Sequence, residues 1–99
     1  MNYTINDSKG NILKVKAFHP GIFLQEEIEE RELLKKTIAQ QLEILPTNLS
    51  ENLKGKRNIS PTLAVRLEKA LNISAEYWIN LQITWDLQTA REEEYSLNM

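Results

Sequence analysis

The stretch KKTIAQQLEILPTNLSENLKGKR, residues 35–57, carries the clearest structural signal in the sequence. Its apolar spacing predicts two short helices, one over 35–42 and one that begins at Pro46, because a proline suits the first turn of a helix. The residues between them turn the chain, and Gly55 ends the second helix. Helices this short are not stable alone. Packed at a steep angle against neighbouring helices, they make a helix-turn-helix.

The side chains of this pair fit that packing. Ala39 is small enough to lie where the two helices cross. The residues predicted to face inward are Ile38, Leu42, Ile44 and Leu49.

Three more helices are predicted around the pair. The first runs from about Pro20 to Arg31, the fourth begins after the N-cap Ser60, and the fifth is capped by Ser74 and runs to about Arg91. The apolar face of the fourth helix consists of Leu63, Ala64, Leu67 and Leu71. The sequence therefore predicts an all-α fold. A five-helix helix-turn-helix domain over residues 18–95, with a C-terminal dimerisation helix, follows an N-terminal arm or hairpin over residues 1–17.

Composition narrows the function classes. The 99 residues suit one domain, and the formal net charge of −2 does not suit a general polyanion binder. The chain has no cysteine, which excludes disulfides and thiolate sites. The N-terminus lacks the apolar run of a signal peptide, and no apolar run approaches the ~20 residues of a membrane span. We therefore expect a cytoplasmic protein that contacts no membrane.

The outward face of the third helix carries the candidate DNA-reading residues: Thr47, Asn48, Ser50 and Glu51. In a helix-turn-helix, polar side chains near the start of the second helix reach base edges in the major groove. Asn can pair with adenine, the Thr methyl can meet the methyl of thymine, and Glu can accept a hydrogen bond from cytosine.

Basic residues flank this face, at the start of the second helix and beyond the third: Lys35, Lys36, Lys54, Lys56 and Arg57. Phosphates would run there. However, a basic helix end is also favoured by the helix dipole alone. Spacing by itself therefore leaves open whether these residues contact DNA or only solvent.

The fifth helix bears an apolar stripe of Trp78, Leu81 and Trp85. Core packing is the default explanation for such a stripe. The helix is nevertheless apolar almost all round, with Ile79, Ile83 and Leu87 on its other faces. A second copy could cover one face, giving a two-fold dimer whose recognition helices lie roughly 34 Å apart.

Catalysis and cofactor binding have little support. His19 is the only histidine, and without cysteines it makes no metal site; a bond to backbone at the start of the first helix is the expected role. The acidic runs at 26–32 and 92–94 are typical of solvated faces. We expect no enzyme activity, no cofactor and no small-molecule substrate.

Several motifs together resemble the HigA group of antitoxins, which are helix-turn-helix proteins related to phage repressors. These are HPG at 19–21, IAQQL at 38–42, NLSENLKGKRNIS at 48–60 and LAVRLEKALNISAEYWINLQITWDLQ at 63–88. The resemblance covers residues 18–90. It implies a repressor-like domain that forms a homodimer, binds a palindromic double-stranded operator, represses its own operon and neutralises a small basic HigB-like ribonuclease toxin.

By position, the resemblance places Thr47, Asn48 and Glu51 at base contacts. It places Lys35, Lys36 and Lys56 near phosphate contacts.

Three residues depart from the family pattern. Glu43 stands where the turn usually has glycine, so it adopts a left-handed conformation at a cost of about 1 kcal/mol, or the turn differs. Asn52 replaces an aliphatic core residue, so it is a partnered buried amide, or the third helix is rotated. Leu34 replaces the Ser or Thr cap of the second helix.

Two alternatives share the predicted fold. One is a free-standing repressor with the same DNA face and no toxin partner. The other is a protein-interaction bundle that has lost DNA binding, which Glu43, Asn52 and the net charge would favour.

Overall fold

The computed structural model describes residues 4–6, 12–14 and 17–97 of the chain. Two three-residue strands, β1 (Thr4–Asn6) and β2 (Ile12–Lys14), pair antiparallel in the segment predicted as an arm or hairpin. Five helices follow: α1 (Pro20–Glu30), α2 (Lys35–Gln41), α3 (Pro46–Leu53), α4 (Pro61–Leu71) and α5 (Ala75–Leu97). The predicted five-helix helix-turn-helix fold is confirmed. Within the described ranges, no helix is long and apolar enough to cross a membrane.

Local capping signals explain where the later helices begin. The Ser60 hydroxyl accepts a hydrogen bond from the Leu63 amide at 3.1 Å, and the Ser74 hydroxyl accepts one from the Tyr77 amide at 3.2 Å. Each bond satisfies one of the N–H groups that a helix start leaves without a partner. Proline occupies the first position of α1, α3 and α4 because its missing N–H costs nothing there.

α5 is longer than predicted, since it ends at Leu97 and not near Arg91. Apolar periodicity fades after Leu87, but residues 90–94 read AREEE, which are strong helix formers, and no glycine or proline stops the helix. The Ser96 hydroxyl also donates to the Glu92 carbonyl at 2.8 Å within the last turns. High helix propensity therefore extends α5 beyond the residues whose apolar spacing predicted it.

All five helices contribute buried residues to one core. The whole predicted face of α4 is buried, and Trp78 and Leu81 of α5 are buried beside it. Trp85 is only half-buried, and its ring meets the His19 ring edge-on, with centroids 5.6 Å apart. Core packing therefore explains Trp78 and Leu81, whereas Trp85 packs against the start of α1.

The His19-Pro20-Gly21 motif joins the start of α1 to the end of α3. Gly21 is required there because an added Cβ would lie 2.0 Å from the backbone oxygen of Asn52. His19 is buried, and its Nδ1 accepts a hydrogen bond from the Gly21 amide at 2.9 Å, which caps the helix. The expected role of His19 as a backbone-bonded residue at the helix start is confirmed. Gly55 has a φ of 77°, a conformation that suits glycine, and an added Cβ there would lie 3.5 Å from Cγ of His19.

Burial lowers the pKa of His19 below its usual 6.5, although the side chain of Asn58 and the carboxylate of Asp86 oppose the shift. The folded protein therefore holds the imidazole neutral more strongly than the unfolded chain does. Protonation would place a charge in a buried site and remove the lone pair that accepts from Gly21.

Folding stability should consequently fall as the pH drops from 7.5 to 5.5. In that interval the unfolded chain binds a proton at His19 that the folded chain resists, so the stabilisation present above pH 6.5 is lost. His19→Asn keeps a cap acceptor without the titration and should flatten this dependence. Urea unfolding of both proteins at the two pH values tests the prediction, and equal pH slopes would contradict it.

Candidate nucleic-acid interface

The outer face of α3 carries the side chains predicted to read bases. Leu49 and Asn52 point inward and are buried, whereas Thr47 is exposed. Asn48, Ser50 and Glu51 are each partly accessible. All four predicted base-contacting residues therefore reach solvent from one eight-residue helix.

The five predicted phosphate-contacting residues are all exposed. Lys35 and Lys36 form the first turn of α2, and Lys54 is the C-cap of α3. Lys56 and Arg57 follow in the segment that leads to α4. We call residues 54–59 the basic segment. Because α2 packs against α3, the two groups of basic residues belong to one motif.

One ion pair links the predicted base contacts to the predicted phosphate contacts. Arg57 Nη2 lies 3.1 Å from Glu51 Oε1, and the two side chains are 48% and 43% exposed. Exposed pairs of this kind contribute little to stability, about 0–1 kcal/mol. The pair therefore holds Arg57 beside α3 but can open at small cost when a stronger anion approaches.

Asn52 ties the basic segment to α3. Its side chain is fully buried, and Nδ2 donates to the carbonyls of Arg57 at 3.0 Å and Asn58 at 3.2 Å. Its backbone carbonyl also accepts from the Gly55 amide at 3.1 Å. Of the two alternatives for this departure, the structure shows a buried amide that is partnered through Nδ2, while its Oδ1 has no hydrogen-bond partner among the described residues. Leu49 is buried and Thr47 is exposed, as predicted for α3. An aliphatic residue could fill this site but could not hold the segment.

Gln82 of α5 fixes the far end of the same segment. Its Oε1 accepts from the amide of Ile59 at 2.8 Å, and its Nε2 donates to Asp86 at 2.9 Å. The segment is thus held by side-chain amides at residues 57, 58 and 59. Nothing near Gln82 in the sequence signals this role, because its partner lies 23 residues away.

The turn between α2 and α3 contains Glu43 in a left-handed conformation, with a φ of 57°, which is the first of the two alternatives for this residue. Arg66 of α4 reaches this turn, where Nη1 donates to the Leu42 carbonyl at 3.2 Å and Nη2 lies 3.4 Å from the Glu43 carboxylate. The Leu42 carbonyl belongs to the end of α2, which lacks helical donors. Arg66 therefore supports the turn of the helix-turn-helix, a role that its sequence position did not reveal.

Two leucines stand at the starts of the helices of this motif. Leu34 and Leu45 are the N-cap residues of α2 and α3, and neither side chain forms a capping hydrogen bond with any described residue. They are 72% and 64% exposed, the highest values among the large apolar residues that the structure describes. Leu34 is one of the three departures from the family pattern, whereas no signal in the sequence singles out Leu45.

Metal chemistry finds no support in the described part of the chain, where no three His, Cys, Asp or Glu residues are grouped to hold an ion.

Known proteins share this architecture. No family model matches the chain. The chain is 33% identical over 73 residues to the uncharacterized HTH-type transcriptional regulator YddM of Escherichia coli. The matched region covers 74% of this chain and 78% of that protein.

Solved structures of other proteins have a similar fold, and two of them are antitoxins or antidote proteins. Antitoxin HigA of Pseudomonas aeruginosa, solved with the higBA promoter, has a TM-score of 0.77 and 28% identity, and the match covers 83% of this chain and 90% of that one. An addiction module antidote protein of a HigA family from Coxiella burnetii has a TM-score of 0.75 and 29% identity, over 83% and 90% of the two chains.

Replacing Asn52 with alanine should destabilise the protein by about 1–3 kcal/mol, because two carbonyls lose their donor and a cavity forms. Asn80→Ala, at an exposed site on α5, makes the same chemical change and should be nearly neutral. Urea unfolding followed by circular dichroism measures both. Equal effects would mean that the Asn52 amide does not hold the basic segment.

Arg66→Ala should cost about 1 kcal/mol, since the Leu42 carbonyl loses its donor. Glu43→Gly should be neutral or stabilising, because it relieves the left-handed strain and removes only an exposed ion pair. Lys69→Ala on the same helix as Arg66 controls for charge and helix propensity. A loss for Glu43→Gly as large as that for Arg66→Ala would show that the ion pair dominates.

Proposed function

Since the chain belongs to the HigA family of helix-turn-helix antitoxins, we propose that it binds operator DNA through α3, represses its own operon and neutralises a HigB-like ribonuclease toxin. The observation that carries the DNA-binding part is the outward polar face of α3, continuous with a basic segment held by Asn52 and Gln82. The promoter complex of the related P. aeruginosa antitoxin supports it.

Base reading is assigned to the side chains on the outer face of α3. Asn48 can pair with adenine, Thr47 offers a hydroxyl and a methyl, and Glu51 can accept from the amino group of cytosine. Ser50 can donate to or accept from either kind of base edge. Their position in the first half of the helix fits the part of a recognition helix that enters the major groove.

Phosphate binding is assigned to the five exposed basic residues. The net charge of −2 does not oppose this role, because salt screens charges beyond about 10 Å and the basic residues act locally. Arg57 would exchange Glu51 for a phosphate, and Glu51 would then be free to meet a base. The ion pair is exposed, so this exchange costs little.

A two-fold dimer is proposed through the outer face of α5. Ile83 and Leu87 lie one turn apart and are 50% and 45% exposed, while Trp78 and Leu81 face the core of their own chain. Burying this apolar pair against its copy would remove exposed surface from water. Such a dimer would present two α3 helices to successive turns of the operator.

Toxin neutralisation rests on the family and on charge. α1 exposes Glu26, Glu29 and Glu30, and the last turns of α5 expose residues 92–94, all glutamates. These acidic faces suit a small basic toxin. The same DNA face would serve a free-standing repressor, so binding to a toxin encoded beside this gene is the measurement that separates the two.

Glu43 and Asn52, which would favour a bundle without DNA binding, have roles in the fold that are compatible with DNA binding. Arg66 holds the turn that contains Glu43, and Asn52 holds the basic segment against α3.

The double substitution Thr47→Ala with Asn48→Ala should weaken operator binding by about tenfold or more and leave binding to random DNA almost unchanged, because it removes base contacts. Fluorescence anisotropy with both DNAs measures this. Unchanged operator affinity would show that α3 is not the reading helix.

Lys56→Ala should weaken binding to operator and random DNA alike and lower the salt slope by about one unit, because it removes a phosphate contact. Lys69→Ala removes the same charge outside the proposed interface and should change neither quantity. An unchanged slope for Lys56→Ala would remove Lys56 from the interface.

A further inference from the structure

Leu45 occupies a position where neither folding nor packing explains a leucine. It is the N-cap of α3, its side chain is 64% exposed, and it lies outside the hydrophobic core cluster of the described residues. Only its backbone serves the helix, since the Leu45 carbonyl accepts from the Leu49 amide at 3.1 Å.

A polar residue would suit this position better for folding. Serine or aspartate at an N-cap accepts a hydrogen bond from an amide of the first turn, whereas leucine accepts none and exposes apolar surface. Ser60 and Ser74 provide such caps to α4 and α5 in this chain. The leucine at position 45 therefore costs local stability and gains nothing visible within the protein.

Its surroundings show what could cover it. Leu45 directly precedes Pro46 and Thr47 at the end of α3 that the proposed function inserts into the major groove. Basic residues stand on the same motif, with Lys35 and Lys36 on α2 and the basic segment after α3, and this charge favours DNA over another apolar protein surface. Of the four bases, only thymine presents an apolar group, its 5-methyl, in the major groove.

We propose that Leu45 is a specificity-determining residue that packs against the 5-methyl group of a thymine in the operator. This assignment rests on the proposed function and adds a base contact to it. The contact would bury the leucine side chain and the methyl group together. Losing one buried methyl is expected to weaken binding about fourfold.

Removing that methyl from the DNA tests the proposal directly. Deoxyuridine replaces each thymine of one operator half-site in turn, which deletes only the 5-methyl group. Anisotropy titrations compare the wild type, Leu45→Ala and Leu34→Ala on every duplex. Leu34 is the matched control, because it is also an exposed N-cap leucine, but it starts the helix that crosses the backbone and not the one that reads bases.

The expected result is one thymine whose replacement weakens the wild type and Leu34→Ala about fourfold and leaves Leu45→Ala unchanged. Equal losses for all three proteins at every thymine would overturn the assignment while leaving operator binding intact. A wild type without any preference for operator DNA would instead overturn the proposed function, and this assignment with it.

Leu45→Ser separates binding from folding. It should raise the urea midpoint, because serine caps α3, and still weaken operator binding as Leu45→Ala does. If Leu45→Ser or Leu45→Ala instead shifted the sedimentation coefficient of the free protein, Leu45 would belong to a protein contact, and the DNA assignment would be wrong.

Discussion

The buried side-chain amide of Asn52 is the interaction on which the candidate interface depends. It holds the carbonyls of Arg57 and Asn58 against α3, and Gln82 holds the next residue from the other side. Ordering one residue costs about 1–2 kcal/mol of backbone entropy. Folding has already fixed these residues, so binding to an anionic partner need not order them again. The basic residues around Gly55 are thereby held in one defined arrangement.

The helix-turn-helix gives up local stability at several points of this surface. Glu43 adopts a left-handed backbone without being glycine, and Leu34 and Leu45 leave two helix starts without side-chain caps in the described structure. Arg66 offsets part of this cost by donating to the end of α2. This strain is not confined to the helix-turn-helix, because Glu32 after α1 also has a left-handed backbone, with a φ of 54°. At the starts of α4 and α5, by contrast, local preference and fold agree.

Local signals predicted most of the fold. Proline starts α1, α3 and α4 at the expected residues, and the spacing of four apolar residues identified the buried face of α4. The sequence could not reveal Arg66 reaching Leu42 or Gln82 reaching Ile59, because each pair is more than 20 residues apart and meets only after packing. The sequence also left the role of Asn52 open, because a buried amide and a rotated third helix are both compatible with the same residues. The polar side chains on the outer face of α3 could be predicted, but the contacts of Asn52, Gln82 and Arg66 that hold the motif could not.

A DNA titration tests whether α3 and its basic segment read DNA. The wild-type protein is titrated by fluorescence anisotropy onto the DNA upstream of its own gene and onto a scrambled fragment, at several salt concentrations. We expect the protein to bind the upstream fragment at least about a thousandfold more tightly than the scrambled fragment, with an affinity that falls steeply as salt rises. Equal and feeble binding to both fragments would contradict it and leave the basic segment as a solvated helix end.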